Sequence, residues 1–408
     1  MDIERRFLDK DKRKILNKSG MVLNDGSQLR GGPATRDFTA LPMSLPKDNT
    51  QMSVAPMRWM VLTPFTKSTG VGWIPDHIKS LKYSFEGVPA DYDHDRSRQR
   101  SGIREWLDYF RQSLTAWKAN YRRNSERIGF LTSFPQLPVC LGILKRVTFS
   151  KTPIVAWCFN LGKTYGGMKG RLARFALSAV DIFVVHSTAE IEIYSHWLSI
   201  PRERFIFVPL SIQTNVFEVE KEALEPFVVA IGTANRDYDC LIRALKPLGY
   251  RTIIVAGRHA AENLALPPFV EIRSGLSLSE CHKLSQRARV NVVPIKDVNS
   301  ASGQVTLLET MMFGKAVVAT RCAGTVDYAT DKLNALLVEP GDDKALSLAI
   351  SELWGDENKR TLIGDAARST IFSSVTFEAV APKMRDVLDK LSTLSSAKNA
   401  DSAPVRRA

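Results

Sequence analysis

From Met57 onward, short apolar runs alternate with amphipathic stretches, and the alternation occurs twice. In the first half, MRWMVLTP (57–64), IGFLTS (128–133), PIVAWCF (153–159), DIFVVHS (181–187) and FIFVPL (205–210) read as buried strands. Helical periodicity spans roughly 75–86 and 102–122. The apolar pattern lapses near 211–226, as a linker would, and then resumes. The second series has strands at FVVAIG (227–232), TIIVAG (252–257), VEIRS (270–274), VNVVPI (290–295), AVVAT (316–320) and ALLVE (335–339). Helices are predicted between them at 238–247, 279–288, 304–313 and 344–354. Near-continuous apolar strands alternating with helices indicate parallel sheets covered on both faces. The expectation is α/β: two Rossmann-like, doubly wound domains facing a cleft, at 56–215 and 225–375. Helical patterns at 357–369 and 378–394 close the chain. Residues 1–55 lack periodicity and read as a loosely ordered arm, and 395–408 as a disordered tail.

Charge divides the same way. Residues 1–210 hold 32 Lys and Arg against 19 Asp and Glu, while 211–408 hold 24 of each. The whole net charge of +13 therefore lies in the first half. Between Ile128 and Val180 there is no acidic residue, yet Lys145, Arg146, Lys151, Lys163, Lys169, Arg171 and Arg174 are present. Such a surface either is simply solvated or meets an anionic membrane or acceptor. No nucleic-acid-binding motif accompanies it. Five scattered cysteines without a C-x-x-C argue against a disulfide frame or structural zinc. The charged N-terminus is unlike a signal peptide and no apolar run is long enough to span a bilayer. The expected location is cytoplasmic, with any contact at the cytoplasmic membrane peripheral.

Several motifs fail on context. Asp91-Tyr92-Asp93 matches a metal-holding D-x-D but lies in a charge-rich polar run. Gly162-Lys163-Thr164 resembles the end of a P-loop, but Trp157 stands where the first glycine is required. No G-x-G-x-x-G follows a strand, no serine sits in a nucleophile elbow, and the histidines lack metal-ligand spacing.

What remains lies at strand C-terminal ends, where open α/β sheets bind ligands. Gly232-Thr233-Ala234-Asn235-Arg236 follows the first strand of the second series, and Arg236 could neutralise a diphosphate. Gly257-Arg258 and Ser274-Gly275-Leu276 follow the next two. In NSASGQVTLLETMMFGKAVVAT (299–320) a Ser/Gly turn opens a helix bearing Glu309. A helix start with unpaired amides binds phosphate, and the carboxylate further on could take hydroxyls. Gly70 and Gly72, in the turn after the first strand, mark a possible acceptor side.

The stretch Gly303-Gln-Val-Thr-Leu-Leu-Glu309-Thr-Met-Met-Phe-Gly314, with Gly324 and Asn334-Ala-Leu-Leu-Val-Glu-Pro-Gly341-Asp, resembles the donor domain of family 4 retaining glycosyltransferases of GT-B fold. The resemblance is looser through VVHSTAEIEIYSHWLSIPRERFIFVPL (184–210). It implies that Glu309 binds the nucleotide ribose, that amides around Gln304, Val305 and Thr306 hold the diphosphate, and that Ser302 and Gly303 also face the donor, Ser302 as a sugar contact. It implies Arg236 as phosphate ligand, with Gly232, Thr233, Arg258, Ser274 and Leu276 around the donor. It also implies that the C-terminal helix, 376–394, crosses back onto the first domain. Around Arg236 the family's Gly-Arg…Lys spacing is shortened, and Thr233 stands where arginine is common. The chain departs from the family at two further positions. Ala301 stands where a sugar-contacting glutamate belongs, eight residues before Glu309. Asn160 stands where many members place a histidine near the reacting centre; asparagine can orient hydroxyls but not shuttle protons.

The implied activity is hexosyl transfer from a nucleoside diphosphate sugar to a saccharide or lipid-linked acceptor, with no metal and no cofactor. The alternatives are an epimerase-like sugar-nucleotide enzyme and a non-catalytic sugar-nucleotide-binding protein.

Overall fold

The computed structural model describes residues 56–64, 75–92, 101–122, 127–161, 164–214, 220–257, 260, 264–296 and 301–400. The arm at 1–55, Gly70, Gly72, Asp93, Gly162, Lys163 and Arg258 lie outside them.

The first sheet contains β1 (Met57–Leu62), β2 (Tyr83–Val88), β3 (Ile128–Ser133), β4 (Ile154–Trp157), β5 (Ile182–Val185) and β6 (Phe205–Phe207). All pairings are parallel, in the order β2-β1-β3-β4-β5-β6. β3, β4 and β5 are buried at every residue, which is why their sequences are continuous apolar runs rather than alternating ones. Helices α1 (Ile103–Arg122), α2 (Gln136–Val147), α3 (Gly167–Leu177) and α4 (Thr188–Leu198) accompany it.

The predicted helix at 75–86 is not there. Pro75–His77 is one turn of 3-10 helix, and Tyr83–Val88 is the edge strand β2, paired with β1 over six residues. Leu81, between them, is almost fully exposed. An edge strand is half-covered, and β2 buries only its end residues Tyr83 and Val88. Its sequence therefore carries neither a continuous apolar run nor a clean alternation. Helices α2 and α3 were not resolved by the pattern, since each buries only part of its apolar content.

The second sheet contains β7 (Val228–Ile231), β8 (Thr252–Val255), β9 (Val270–Arg273), β10 (Val290–Val293), β11 (Val317–Thr320) and β12 (Leu336–Val338). Its order is β12-β11-β10-β7-β8-β9, again all parallel. Read from the other edge this is the doubly wound 3-2-1-4-5-6 order, and strand order reverses between β7 and β10. Around it lie α5 (Tyr238–Leu245), α6 (Leu278–Arg287), α7 (Gln304–Met312), α8 (Asp343–Gly355) and α9 (Glu357–Ser374). Each predicted element of this half is present within a few residues. The helix starts explain the accuracy: Asp237, Ser277, Asp342 and Asp356 cap α5, α6, α8 and α9, and Ser277 forms a capping box with Glu280.

The final helix, α10 (Phe377–Ala400), runs past residue 394, where the pattern placed its end. It packs Val380, Ala381, Met384, Val387, Leu388 and Leu391 in one cluster with Trp59, Val61, Trp157 and Val184 of the first sheet. At about 1.5–3 kcal/mol per buried apolar side chain, that contact is worth on the order of 10 kcal/mol before entropy is subtracted. Beside it the chain makes its earlier crossing: Ile212 N–H donates to Val375 O at 3.1 Å. The domains are thus joined by two adjacent strands of chain.

Candidate functional site

The reversal of strand order leaves a crevice beyond the C-terminal ends of β7 and β10. After β7 the chain turns sharply at Gly232 (φ +129°) and Asn235 (φ +54°). A Cβ at Gly232 would lie 2.3 Å from Arg236 Nη2, so glycine is required for the guanidinium to fold under the turn. There Arg236 donates from Nε to Ile231 O (3.2 Å), from Nη1 to Ala234 O (2.8 Å) and from Nη2 to Thr306 Oγ1 (3.0 Å). Burial pulls its pKa down, and it forms no ion pair with a carboxylate among the described residues. It nevertheless remains a cation, with two N–H groups beyond those three bonds.

Thr306 is in the first turn of α7, which begins at Gly303 (φ +80°). A Cβ on Gly303 would meet Ile295 Cδ1 at 2.8 Å, so the turn is closely packed as well as left-handed. No side chain caps this helix, in contrast to α5, α6, α8 and α9. Arg236 and Thr306 therefore bring a cation to an uncapped helix start. Ser302 is placed beside them, its Oγ accepting from Asn235 Nδ2 at 2.9 Å. Val305 lies in the same first turn and Gln304 points the other way, as described below.

Glu309 is three residues beyond Thr306 and so on the same face of α7. Its Oε1 stands 3.2 Å from His282 Nε2 on α6, at ion-pair range but without hydrogen-bond alignment. The His282 ring packs edge-to-face on Phe313, 5.0 Å between centroids. Ile231, His282, Thr306, Glu309 and Phe313 line one small cavity. Asn235 lay within a predicted turn but had no role assigned to it, and His282 was not anticipated. The first carried a faint signal, as an asparagine in a turn that needs positive φ; the second carried none, because α6 and α7 meet only in space.

The remaining predicted donor residues mostly stitch strand ends together. Thr233 Oγ1 accepts from Gly257 N–H at 2.9 Å, and Ser274 Oγ donates to Ala256 O at 2.8 Å. Leu276 is partly buried against the core cluster of β7 and β8. Asp93, the second carboxylate of the D-x-D, lies outside the described residues, and among those described no group of three His, Cys, Asp or Glu is placed to hold an ion.

Across the crevice, the first domain reaches the same turn. Asn160 Nδ2 donates to Ala301 O at 2.8 Å, and Ala301 N–H donates to Glu190 Oε1 at 3.5 Å. Gln304 Nε2 donates to His186 O at 2.6 Å, and the Tyr328 hydroxyl donates to the same carbonyl at 2.7 Å. Asp327 accepts from both Thr188 N–H (2.9 Å) and Thr188 Oγ1 (2.7 Å), capping α4 from the opposite domain. Glu190 is fully buried, and burial pushes its carboxyl up to about 7. Burial likewise holds the His186 imidazole down at about 4, so it is neutral.

The basic surface has structure too. Along α3, Lys169, Arg171 and Arg174 are exposed, and so are Met168, Leu172 and Phe175 between them. Phe149, just past α2, is 92% exposed. No helix among the described residues is long and apolar enough to cross a membrane.

Residues 225–356 match the family described as glycosyl transferases group 1. The fold resembles sucrose-phosphate synthase from Thermosynechococcus elongatus (TM-score 0.63, 15% identity, 83% of this chain and 100% of that one). It also resembles Alr3699/HepE of Anabaena, solved in complex with UDP (0.56, 12%, 82% and 100%). A third neighbour is the lipopolysaccharide outer core galactosyltransferase WaaB in its apo form (0.57, 12%, 82% and 99%). No curated protein matches the chain by sequence. The architecture is GT-B.

Proposed function

We propose that this chain, whose second domain belongs to the group 1 glycosyl transferases, moves a hexose with retention from a nucleoside diphosphate sugar to a saccharide or lipid-linked acceptor. The observation that carries the reading is Arg236: a half-buried guanidinium without a carboxylate partner among the described residues, bonded to Thr306 at the uncapped start of α7. A cation and a helix start converging at a strand-order reversal suit a diphosphate. Glu309, on the same helix face and braced by His282, takes the ribose hydroxyls. Gly232 lets the backbone come close to the donor.

In the reaction the bond between the anomeric carbon and the diphosphate oxygen breaks. The acceptor oxygen bonds to that carbon on the same face, and its proton passes to the departing diphosphate. Negative charge grows on the diphosphate, and Arg236 with the α7 amides stabilises it. This reading assigns that work to the protein rather than to a metal. Asn160, across the crevice, orients rather than transfers protons. The exposed cations and apolar side chains of α3 favour an acceptor presented at an anionic membrane surface.

The test is a panel of UDP- and GDP-sugars incubated with and without saccharide and lipid-linked acceptors. Release of nucleoside diphosphate that requires an acceptor is expected. Isomerisation of the donor, or binding without turnover across the panel, would overturn the reading.

A further inference from the structure

Four hydrogen bonds close a ring across the domain boundary. Asn160 Nδ2 donates to Ala301 O (2.8 Å), and Ala301 N–H donates to Glu190 Oε1 (3.5 Å). The Tyr194 hydroxyl donates to the same Oε1 (2.7 Å) and accepts from Leu161 N–H (3.0 Å). Leu161 follows Asn160 in the chain, which completes the circuit. Both backbone polar groups of Ala301 are therefore held by the first domain. Glu190 is the one charged member, lies fully buried, and its second oxygen, Oε2, has no hydrogen-bond partner among the described residues. A buried carboxylate oxygen left unpaired costs free energy. The fold accepts that cost at a point two residues before the glycine that starts α7.

We propose that Glu190 is a positioning residue: through Ala301 it sets the Ser302-Gly303 turn, so that the anion-holding start of α7 is formed only when the first domain is seated against it. This rests on the reading of that turn as a diphosphate cradle. The ring explains how a site can work with alanine at position 301. The backbone there is ordered from outside by a carboxylate of the other domain, 111 residues away in the chain. Neighbouring contacts act in the same sense. Gln304 reaches His186 O, and Asp327 caps α4, so the turn is gripped on both flanks.

The test uses the full chain with Glu190→Ala, Tyr194→Phe and Glu190→Gln, the last keeping an oxygen to accept from Ala301 and Tyr194. Two readouts are taken: amide hydrogen exchange over 301–307, and calorimetric binding of UDP and of GDP. Glu190→Ala and Tyr194→Phe should each speed exchange over 301–307 and weaken nucleoside diphosphate binding about tenfold, whereas Glu190→Gln should stay within about twofold of wild type on both. Unchanged exchange in Glu190→Ala and Tyr194→Phe would overturn the proposal, as would Glu190→Gln behaving like Glu190→Ala. Faster exchange in a protein that binds neither nucleotide would leave the ring standing and remove the nucleotide reading instead.

Discussion

The two domains share a layout and differ in what they present. Each is a six-stranded parallel sheet with helices on its faces. The second is charge-balanced and puts its chemistry on turns at strand ends, around Gly232 to Arg236 and Ser302 to Glu309. The first, at 56–215, carries +10 of the net +13, the rest lying in residues 1–55, and exposes Ile103, Leu107, Phe149, Met168, Leu172 and Phe175 on and beside α1, α2 and α3. Among the described residues its contacts with the second domain include the His186 carbonyl and the side chains of Asn160, Thr188 and Glu190. On the proposed function this contrast is a division of labour. The second domain would hold a small, chemically uniform ligand, which demands fixed residues. The first would meet a larger partner, for which a patch of charge and apolar surface is enough.

That division can be attacked at several points. The largest effect is expected where the chain ties the domains together. Leu388→Ala on α10 empties a fully buried position against the first sheet and should cost about 2–5 kcal/mol by denaturant unfolding. A loss under 1 kcal/mol would mean that α10 is not what secures the first domain.

Next, Lys169→Ala, Arg171→Ala and Arg174→Ala combined should reduce sedimentation with anionic vesicles at low salt by about 3 kcal/mol, roughly 1 kcal/mol for each cation. Binding of UDP and GDP should be untouched. Unaltered sedimentation would remove the membrane from the comparison.

Glu190 makes the boundary itself pH-sensitive. Its folded pKa, about 7, lies above its ordinary 4.5, because burial opposes the charge more than the Tyr194 and Ala301 bonds favour it. Nearby Asp327 adds to the rise. The stabilisation is complete below pH 4.5 and is lost as pH rises through 7. Glu190→Gln lacks this titration. Its stability relative to wild type should improve by on the order of 2–3 kcal/mol between pH 4.5 and pH 8, by urea unfolding at each pH. A pH-independent difference would show that Glu190 does not titrate in that window.

The smallest effect is expected at the nucleotide. Glu309→Ala should weaken donor binding about tenfold, near 1.4 kcal/mol, with the fold intact by circular dichroism. Unchanged affinity would take Glu309 out of the site and leave Arg236 as its anchor.

The sequence was most legible where structure is local. Strand and helix positions of the second domain follow from apolar runs and from caps such as Asp237, Ser277 and Asp356. The Ser/Gly turn before α7 reads as a candidate anion site because helix starts leave amides unpaired. β2 was misread because an edge strand shows only half its faces to the core. In the site, Arg236 and Glu309 were visible as charged residues at a strand end and along a helix. His282, which faces Glu309, was not read from the sequence, and Asn235 was read only as part of its turn, not as the residue that bonds Ser302.

By itself, then, the sequence determined two parallel α/β domains, the charge asymmetry between them, and the turn that begins α7. Each depends on residues within a few positions of one another, where periodicity and capping act. The tertiary structure decided what surrounds that turn. Asn160 and Ala301 are 141 positions apart, and Glu190 and Ala301 are 111. No local pattern brings them together. Only the packing of one domain against the other turns an alanine, where the family places a carboxylate, into a residue held by the carboxylate of Glu190.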